Sequence, residues 1–232
     1  MSKITIYVAR HGKTMMNSLD KVQGWCDSPL TKEGIDAARY LGYGMDDITF
    51  RTAYCSDLRR TRQTVQIVLG AKGQDDIPVI ELAGLREACF GSFEADYNGV
   101  MWGNAALFLQ YTSYEDMYKD IMDRKINYSH VLNVIKKLDK MGMAESFDQL
   151  EARTQESLKE IAENEAQYGD GNVLVIAHGM SILGMLYNLG GDKLLKGALD
   201  NAAVCKVIYE DGKFTVESMG DMSYVEKGKK KE

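Results

Sequence analysis

Two histidines occupy matching places in this chain. His11 follows a β-rich apolar run over residues 3–9 and sits in Arg10-His11-Gly12, and His178 follows a second such run over residues 172–177 and precedes Gly179. The chain has only three histidines in 232 residues, so two at strand ends form a pattern. The carboxyl ends of parallel strands reach one edge of a sheet, where the loops diverge and leave a crevice for a ligand. Two imidazoles facing each other beside Arg10 suit an anion such as phosphate. A metal fits less well, because Arg10 repels a cation and neither His-x-x-x-His nor Cys-x-x-Cys spacing occurs. A single histidine in a loop is more often a structural hydrogen-bonding group; the repeated placement beside an arginine outweighs that reading.

A second basic group, Arg59, Arg60 and Arg62, lies at a strand-to-helix junction. A helix N-terminus favours an anion, and a guanidinium can grip phosphate with two parallel bonds. One of these arginines is expected to reach the pocket, with Arg59 and Arg62 on a solvated face. The four cysteines are far apart, are read as reduced, and none opens the Cys-x5-Arg loop of a cysteine phosphatase. Neither a GxxxxGK[ST] loop nor a GxGxxG fingerprint occurs. The net charge of −6 argues against nucleic acid as a partner. No apolar run reaches the ~20 residues of a membrane span, and no signal-peptide core precedes residue 30. The expected location is the cytoplasm.

The elements that must position these groups read as an α/β protein. After the His11 loop, Thr31 is placed to cap a helix with Ile35, Ala38 and Leu41 on one face, ending near Gly42 and Gly44. A strand over residues 52–55 follows, then a helix capped by Ser56 or Asp57 with Thr61, Val65 and Val68 in helical spacing. Another strand is expected over 77–82. Residues 92–147 hold nine of the 21 aromatics in a mostly helical pattern too long for a loop, so they read as a helical cap in which His130 is exposed. Ser146-x-x-Gln149 forms a capping box for a long helix to about residue 168. A helix over 180–189 and a hairpin of 202–209 with 213–218 close the pattern. The expected fold is three-layered, with a mostly parallel central sheet flanked by helices and an inserted helical cap. One domain is expected over residues 1–225, with the cap at 92–145 and a disordered charged tail at 226–232.

With these residues placed, the chain resembles the histidine phosphatase superfamily in its phosphoglycerate-mutase-like branch. Arg10-His11-Gly12-Lys13-Thr14 with Asn17 matches the signature Arg-His-Gly-Glu-Thr/Ser…Asn, Lys13 standing where the family has an acid. Gln23-Gly24-Trp25-x-Asp27-Ser28-Pro29-Leu30-Thr31 continues the match. Ser56-Asp57-Leu58-Arg59-Arg60-Thr61 fits the second arginine block and selects Arg60. Leu85-Arg86-Glu87 with Phe90-Gly91 fits the block of the acidic proton donor, and Ala177-His178-Gly179 fits the second histidine. The five blocks run in order through residues 3–180; residues 92–145 and the C-terminal tail fall outside them.

The resemblance implies His11 as nucleophile, with Arg10, Arg60 and His178 around the phosphoryl oxygens and Glu87 as acid and base. It implies further substrate contacts from Thr14, Asn17, Gln23, Gly24 and Gly179. It implies no metal and no cofactor, and a small phosphorylated metabolite as partner, without nucleic acid or membrane. It says nothing of the oligomeric state. Three reactions compete: hydrolysis of small phosphomonoesters, a 2,3-bisphosphoglycerate-dependent phosphoglycerate mutase, and non-catalytic binding of a phosphorylated ligand. Mutases of this family carry a Pro- and Arg-rich insert, whereas residues 92–147 contain no proline and a single arginine, Arg124. Hydrolysis is therefore the expectation.

Overall fold

A computed structural model describes residues 2–231. Its six strands are β1 (Ile4–Arg10), β2 (Phe50–Cys55), β3 (Val79–Glu81), β4 (Gly171–Ala177), β5 (Val204–Glu210) and β6 (Lys213–Asp221). They form one sheet in the order β3-β2-β4-β1-β5-β6. Strands β3, β2, β4 and β1 run parallel, and β5 and β6 join antiparallel at one edge. The expected mostly parallel sheet is present, and so is the expected hairpin.

Register between β1 and β4 explains why the two histidines meet. Arg10 lies opposite Ala177, so the next residue of each strand leaves the sheet at the same height. Both strands are apolar on both faces because helices cover both sides, as parallel sheets require. On one side Leu41, Val65, Val68 and Leu69 pack under Ala9, Leu174 and Ile176. These come from α2 (Lys32–Gly44) and α3 (Arg59–Lys72), which follow the short α1 (Met15–Ser18). On the other, Leu158, Ile161, Ile182 and Leu186 pack under Ile6, Val8 and Val175. These belong to α7 (Phe147–Ala166) and α8 (Gly179–Leu186).

Three helices between β3 and α7 fill the aromatic-rich segment: α4 (Asn98–Phe108), α5 (Tyr114–Met122) and α6 (Tyr128–Leu138). Their inner faces share one apolar cluster with Phe147 and Leu150 of α7 and Met180 and Leu183 of α8. The helical layer therefore sits against the start of α8, directly after His178. His130 is exposed there and closes a capping box with Asn127.

Two local expectations are corrected. The start of α3 has Leu58 as its cap residue, with no side-chain cap; Ser56 is drawn instead to His178, and Asp57 to Arg86. Residues 226–229, expected within a disordered charged tail, are helical: after α9 (Gly191–Leu194) and the hairpin, α10 (Ser223–Lys229) packs on α2. Gly44 and Gly228 let the two backbones touch, since a Cβ on Gly44 would lie 1.7 Å from the Tyr224 carbonyl oxygen. Lys227 pairs with Asp46 at 3.0 Å and Asp47 at 2.8 Å. Glu232 lies outside the described residues.

Candidate active site

The two imidazoles lie with ring centroids 5.2 Å apart and planes at 62°. His11 Nδ1 is 2.8 Å from the carbonyl oxygen of Gly12. A carbonyl only accepts, so Nδ1 carries the proton and Nε2 keeps its lone pair. Burial, reinforced by the Arg60 and Arg10 guanidinium groups, pushes the His11 pKa well below the usual imidazole range. The ring is thus neutral at physiological pH, with Nε2 as its free nucleophilic atom.

His178 is fixed in the opposite tautomer. Arg60 Nε donates to His178 Nδ1 at 3.0 Å, so the ring proton sits on Nε2 and goes to Ser56 Oγ at 2.8 Å. Ser56 Oγ in turn meets Thr61 Oγ1 at 2.8 Å, and Thr61 donates on to main-chain carbonyls. Burial and the neighbouring cations also hold His178 well below the usual range. Arg60 itself is fully buried. Besides His178 it binds the carbonyls of Cys26 (2.9 Å) and Gly24 (2.7 Å) and the Asp27 carboxylate (3.1 Å). Arg60 and His178 form a layer behind His11 rather than lining the open space.

Glu87 stands at the N-terminus of α8. Its Oε1 accepts the N–H groups of Ala88 and Ser181, each at 2.9 Å, and its Oε2 that of Met180 at 3.0 Å. Burial pushes its carboxyl pKa up, against the opposing pull of those donors and of Arg60 and Arg10. Arg10 donates from one terminal nitrogen to the Leu199 carbonyl at 2.5 Å, while its buried Nε has no partner among the described residues. That orphaned donor is close by: a Cβ placed on Gly179 would lie 3.7 Å from both Arg10 Nε and Glu87 Oε2. A buried N–H left unpaired is costly, and a phosphoryl oxygen would satisfy it.

An open cavity of about 550 Å³ joins these groups to the helical layer. His11, Arg10, Glu87, Asn17, Gln23 and Gly179 line it from the sheet side. Met101, Trp102, Tyr114, Tyr118 and Tyr128 line it from α4, α5 and α6. Thr14 and Gly24 do not line it. Thr14 is buried, caps α1 and donates to Gln23 Oε1 at 2.6 Å, so it acts through Gln23. Gly24 is pressed against the Ala88 carbonyl, where a Cβ would lie 2.2 Å away. Asn17 Oδ1 accepts from the Thr14 N–H at 3.1 Å, which leaves the amide nitrogen Nδ2 for a ligand. Among the described residues no three His, Cys, Asp or Glu side chains cluster to hold a metal ion.

Sequence reasoning missed the residues that hold the loops in place. Glu94 accepts four main-chain N–H groups, from Gly24 at 3.1 Å and from Trp25, Cys26 and Phe90 at 3.0 Å each. Arg153 of α7 binds the carbonyls of Gly84, Arg86 and Glu87 and thereby fixes the Glu87 segment. Asn201 donates to the His11 carbonyl at 3.0 Å. No local pattern marks these three. Ser56, a candidate helix cap by its position before α3, instead accepts the His178 ring proton.

Comparison with known proteins finds similarity along most of the chain. The model of the histidine phosphatase superfamily (branch 1) matches residues 6–100 and 109–222. A solved structure described as a phosphoglycerate mutase from Bacillus anthracis str. Sterne is 38% identical with a TM-score of 0.92, covering 98% of this chain and 97% of that one. The metal-independent phosphoserine phosphatase of Arabidopsis thaliana is 28% identical over 97% of this chain and 84% of its own length. The 2,3-bisphosphoglycerate-dependent phosphoglycerate mutase 2 of Gloeobacter violaceus is 35% identical over 38% of this chain, which spans 41% of that protein.

Proposed function

The chain belongs to the histidine phosphatase superfamily, and from that premise we propose that it hydrolyses small phosphomonoesters without a metal, through a phosphohistidine on His11. The observation that carries the reading is the neutral His11 ring, with Nε2 unprotonated on a cavity shared with Arg10 and Glu87. In the first step Nε2 attacks phosphorus, the bond to the ester oxygen breaks, and Glu87 gives that oxygen its proton. In the second, a water attacks the phosphohistidine, Glu87 takes the water's proton, and Nε2 leaves with its lone pair restored. Arg10 neutralises charge on the phosphoryl oxygens, worth about 3–4 kcal/mol for one well-placed donor. Arg60 sets the positive field behind His11 and holds the neutral His178 ring in place there; Asn17, Gln23 and Gly179 border the entering group, and Thr14 and Gly24 shape that border. We place the aromatic helices α4, α5 and α6 as the substrate-facing cap of a single domain.

Mutase chemistry is the second reading, favoured by the full-length likeness to the Bacillus anthracis structure. It asks the cavity to hold a second phosphate or a carboxylate, which needs several cations. Among the described residues Arg10 and Lys21 are the only arginine or lysine lining the cavity, and Lys21 Nζ is bonded to the Ala95 carbonyl at 2.9 Å. Phosphate release from simple monoesters in the presence of chelator, without 2,3-bisphosphoglycerate, is the expected result. Rapid interconversion of 3- and 2-phosphoglycerate that depends on 2,3-bisphosphoglycerate, with negligible hydrolysis, would replace this reading with the mutase.

A further inference from the structure

The cavity has two ends of opposite character. At its floor lie Arg10 and His11; at its mouth stand the exposed carboxylates of Asp20 and Glu115. Asp20 holds a left-handed backbone (φ 52°), a conformation aspartate tolerates better than most residues. Asn98 pins it there, its side-chain amide donating to Asp20 Oδ1 and its N–H to the Asp20 carbonyl, both at 2.9 Å. The partner is neutral, and among the described residues no cation forms an ion pair with this carboxylate. The nearest cation on the lining, Lys21, is committed elsewhere, with its ammonium 4.1 Å from the centre of the Tyr97 ring.

Between floor and mouth the wall is aromatic. Trp102 and Tyr114 have ring centroids 6.2 Å apart, and Tyr114 and Tyr118 5.9 Å. The Tyr118 hydroxyl is anchored by the Ala198 N–H at 3.0 Å. Burial raises the Tyr114 phenol pKa, and the charges of Glu115 and Asp20 add to the rise, so both carboxylates act on the same ring. Aromatic faces and carboxylates attract the same kind of group, a weakly hydrated cation, and both repel an anion.

We propose that this cavity selects phosphomonoesters whose organic part carries an alkylammonium group, the phosphate at the Arg10–His11 floor and the cation among the rings beneath Asp20 and Glu115. The inference rests on the hydrolase reading and names its substrate class. A one-phosphate ester with a cationic body matches the field at both ends, whereas a phosphoglycerate brings a carboxylate to the acidic mouth.

The test compares an isosteric pair that differs only in charge: (2-trimethylammonioethyl)phosphonate and (3,3-dimethylbutyl)phosphonate, neither of which can be hydrolysed. Calorimetric titration of the full chain is expected to give at least about tenfold tighter binding of the cation. In the Asp20→Asn/Glu115→Gln double variant the ratio should fall toward one; because it is a ratio within one protein, any loss of folded material cancels. Equal affinity, tighter binding of the neutral phosphonate, no binding of either at millimolar concentration, or a ratio unchanged in the double variant would overturn the proposal. Turnover of the corresponding esters and of p-nitrophenyl phosphate is measured beside it and judges the hydrolase reading alone. A tenfold preference without any phosphate release would keep the cation site and remove the hydrolase.

Discussion

Each histidine is assigned a task by its hydrogen bonds, and the arginines divide just as sharply. Arg60 is fully buried and ties His178 to the loop carbonyls of Gly24 and Cys26, while its neighbour Arg59 is exposed. Arg60→Ala is expected to lower kcat/KM by about 10²–10³ and to cost about 3 kcal/mol of stability, because Asp27 loses its counter-ion, keeping only the N–H groups of Arg59 and Ser28, and His178 loses its donor. Arg59→Ala should stay within about twofold of wild type in rate. Steady-state kinetics and urea unfolding on both variants check this; equal effects would dissolve the distinction. Glu87 gives a prediction in pH. Its raised pKa means that the acid form needed to protonate a leaving oxygen persists above the usual carboxyl range, and that the rate with alkyl esters falls as pH rises through that raised value. Glu87→Gln should remove that limb and slow alkyl esters by about 10²–10⁴. It should slow the first burst of nitrophenolate from p-nitrophenyl phosphate far less, since nitrophenolate leaves without a proton, while the later hydrolysis of phosphohistidine, where Glu87 is the base, slows alike for both esters. Transfer of the phosphoryl group to the protein slowed equally with both esters, read in a single turnover, would show that Glu87 is not the acid.

At the scale of elements, position comes from register and from close contacts between backbones. The adjacent parallel strands β1 and β4 bring His11 beside His178, and α8 aims its first N–H groups at Glu87. The contact between α2 and α10 shows how far packing can override composition. Gly44→Ala drives a Cβ into the Tyr224 carbonyl, so it should cost about 2 kcal/mol or more. Gly70, inside α3 with open space around it, should gain about 0.5–1 kcal/mol as alanine. Urea midpoints moving in the same direction for both would contradict the packing. The strands, the Thr31 and Ser146 caps and the helical character of residues 98–138 were all readable from local pattern. The order of residues 223–229 was not. Their composition is that of a solvated tail, and the glycine contact and the Lys227 pairs that order them depend on residues far earlier in the chain, Asp47 being 180 positions before Lys227.

Across the whole molecule, blocks scattered from Arg10 to Gly179 converge because their strands end at one sheet edge. For His11, Arg60 and His178 that convergence was legible in the sequence, since their blocks follow strand ends, whereas the block at residues 23–31 follows no strand. Which residues face the cavity and which stand behind it was not legible. Arg60 and His178 lie in the inner layer, and Glu94, Arg153 and Asn201 hold the loops through carbonyl and N–H contacts that leave no periodic signature. The charge pattern of the cavity also belongs to this scale, because Asp20 and Glu115 come to line one cavity only once the helical layer is folded over the sheet. The proposed reaction rests on His11 carrying the phosphoryl group. The direct measurement is a rapid-quench reaction with a ³²P-labelled monoester, followed by peptide mapping under alkaline conditions. The account predicts an acid-labile, base-stable phosphate on the peptide containing His11, appearing before inorganic phosphate and lost in His11→Ala. Label on His178 instead, or single-turnover release of phosphate with no protein-bound label at any time, would contradict it.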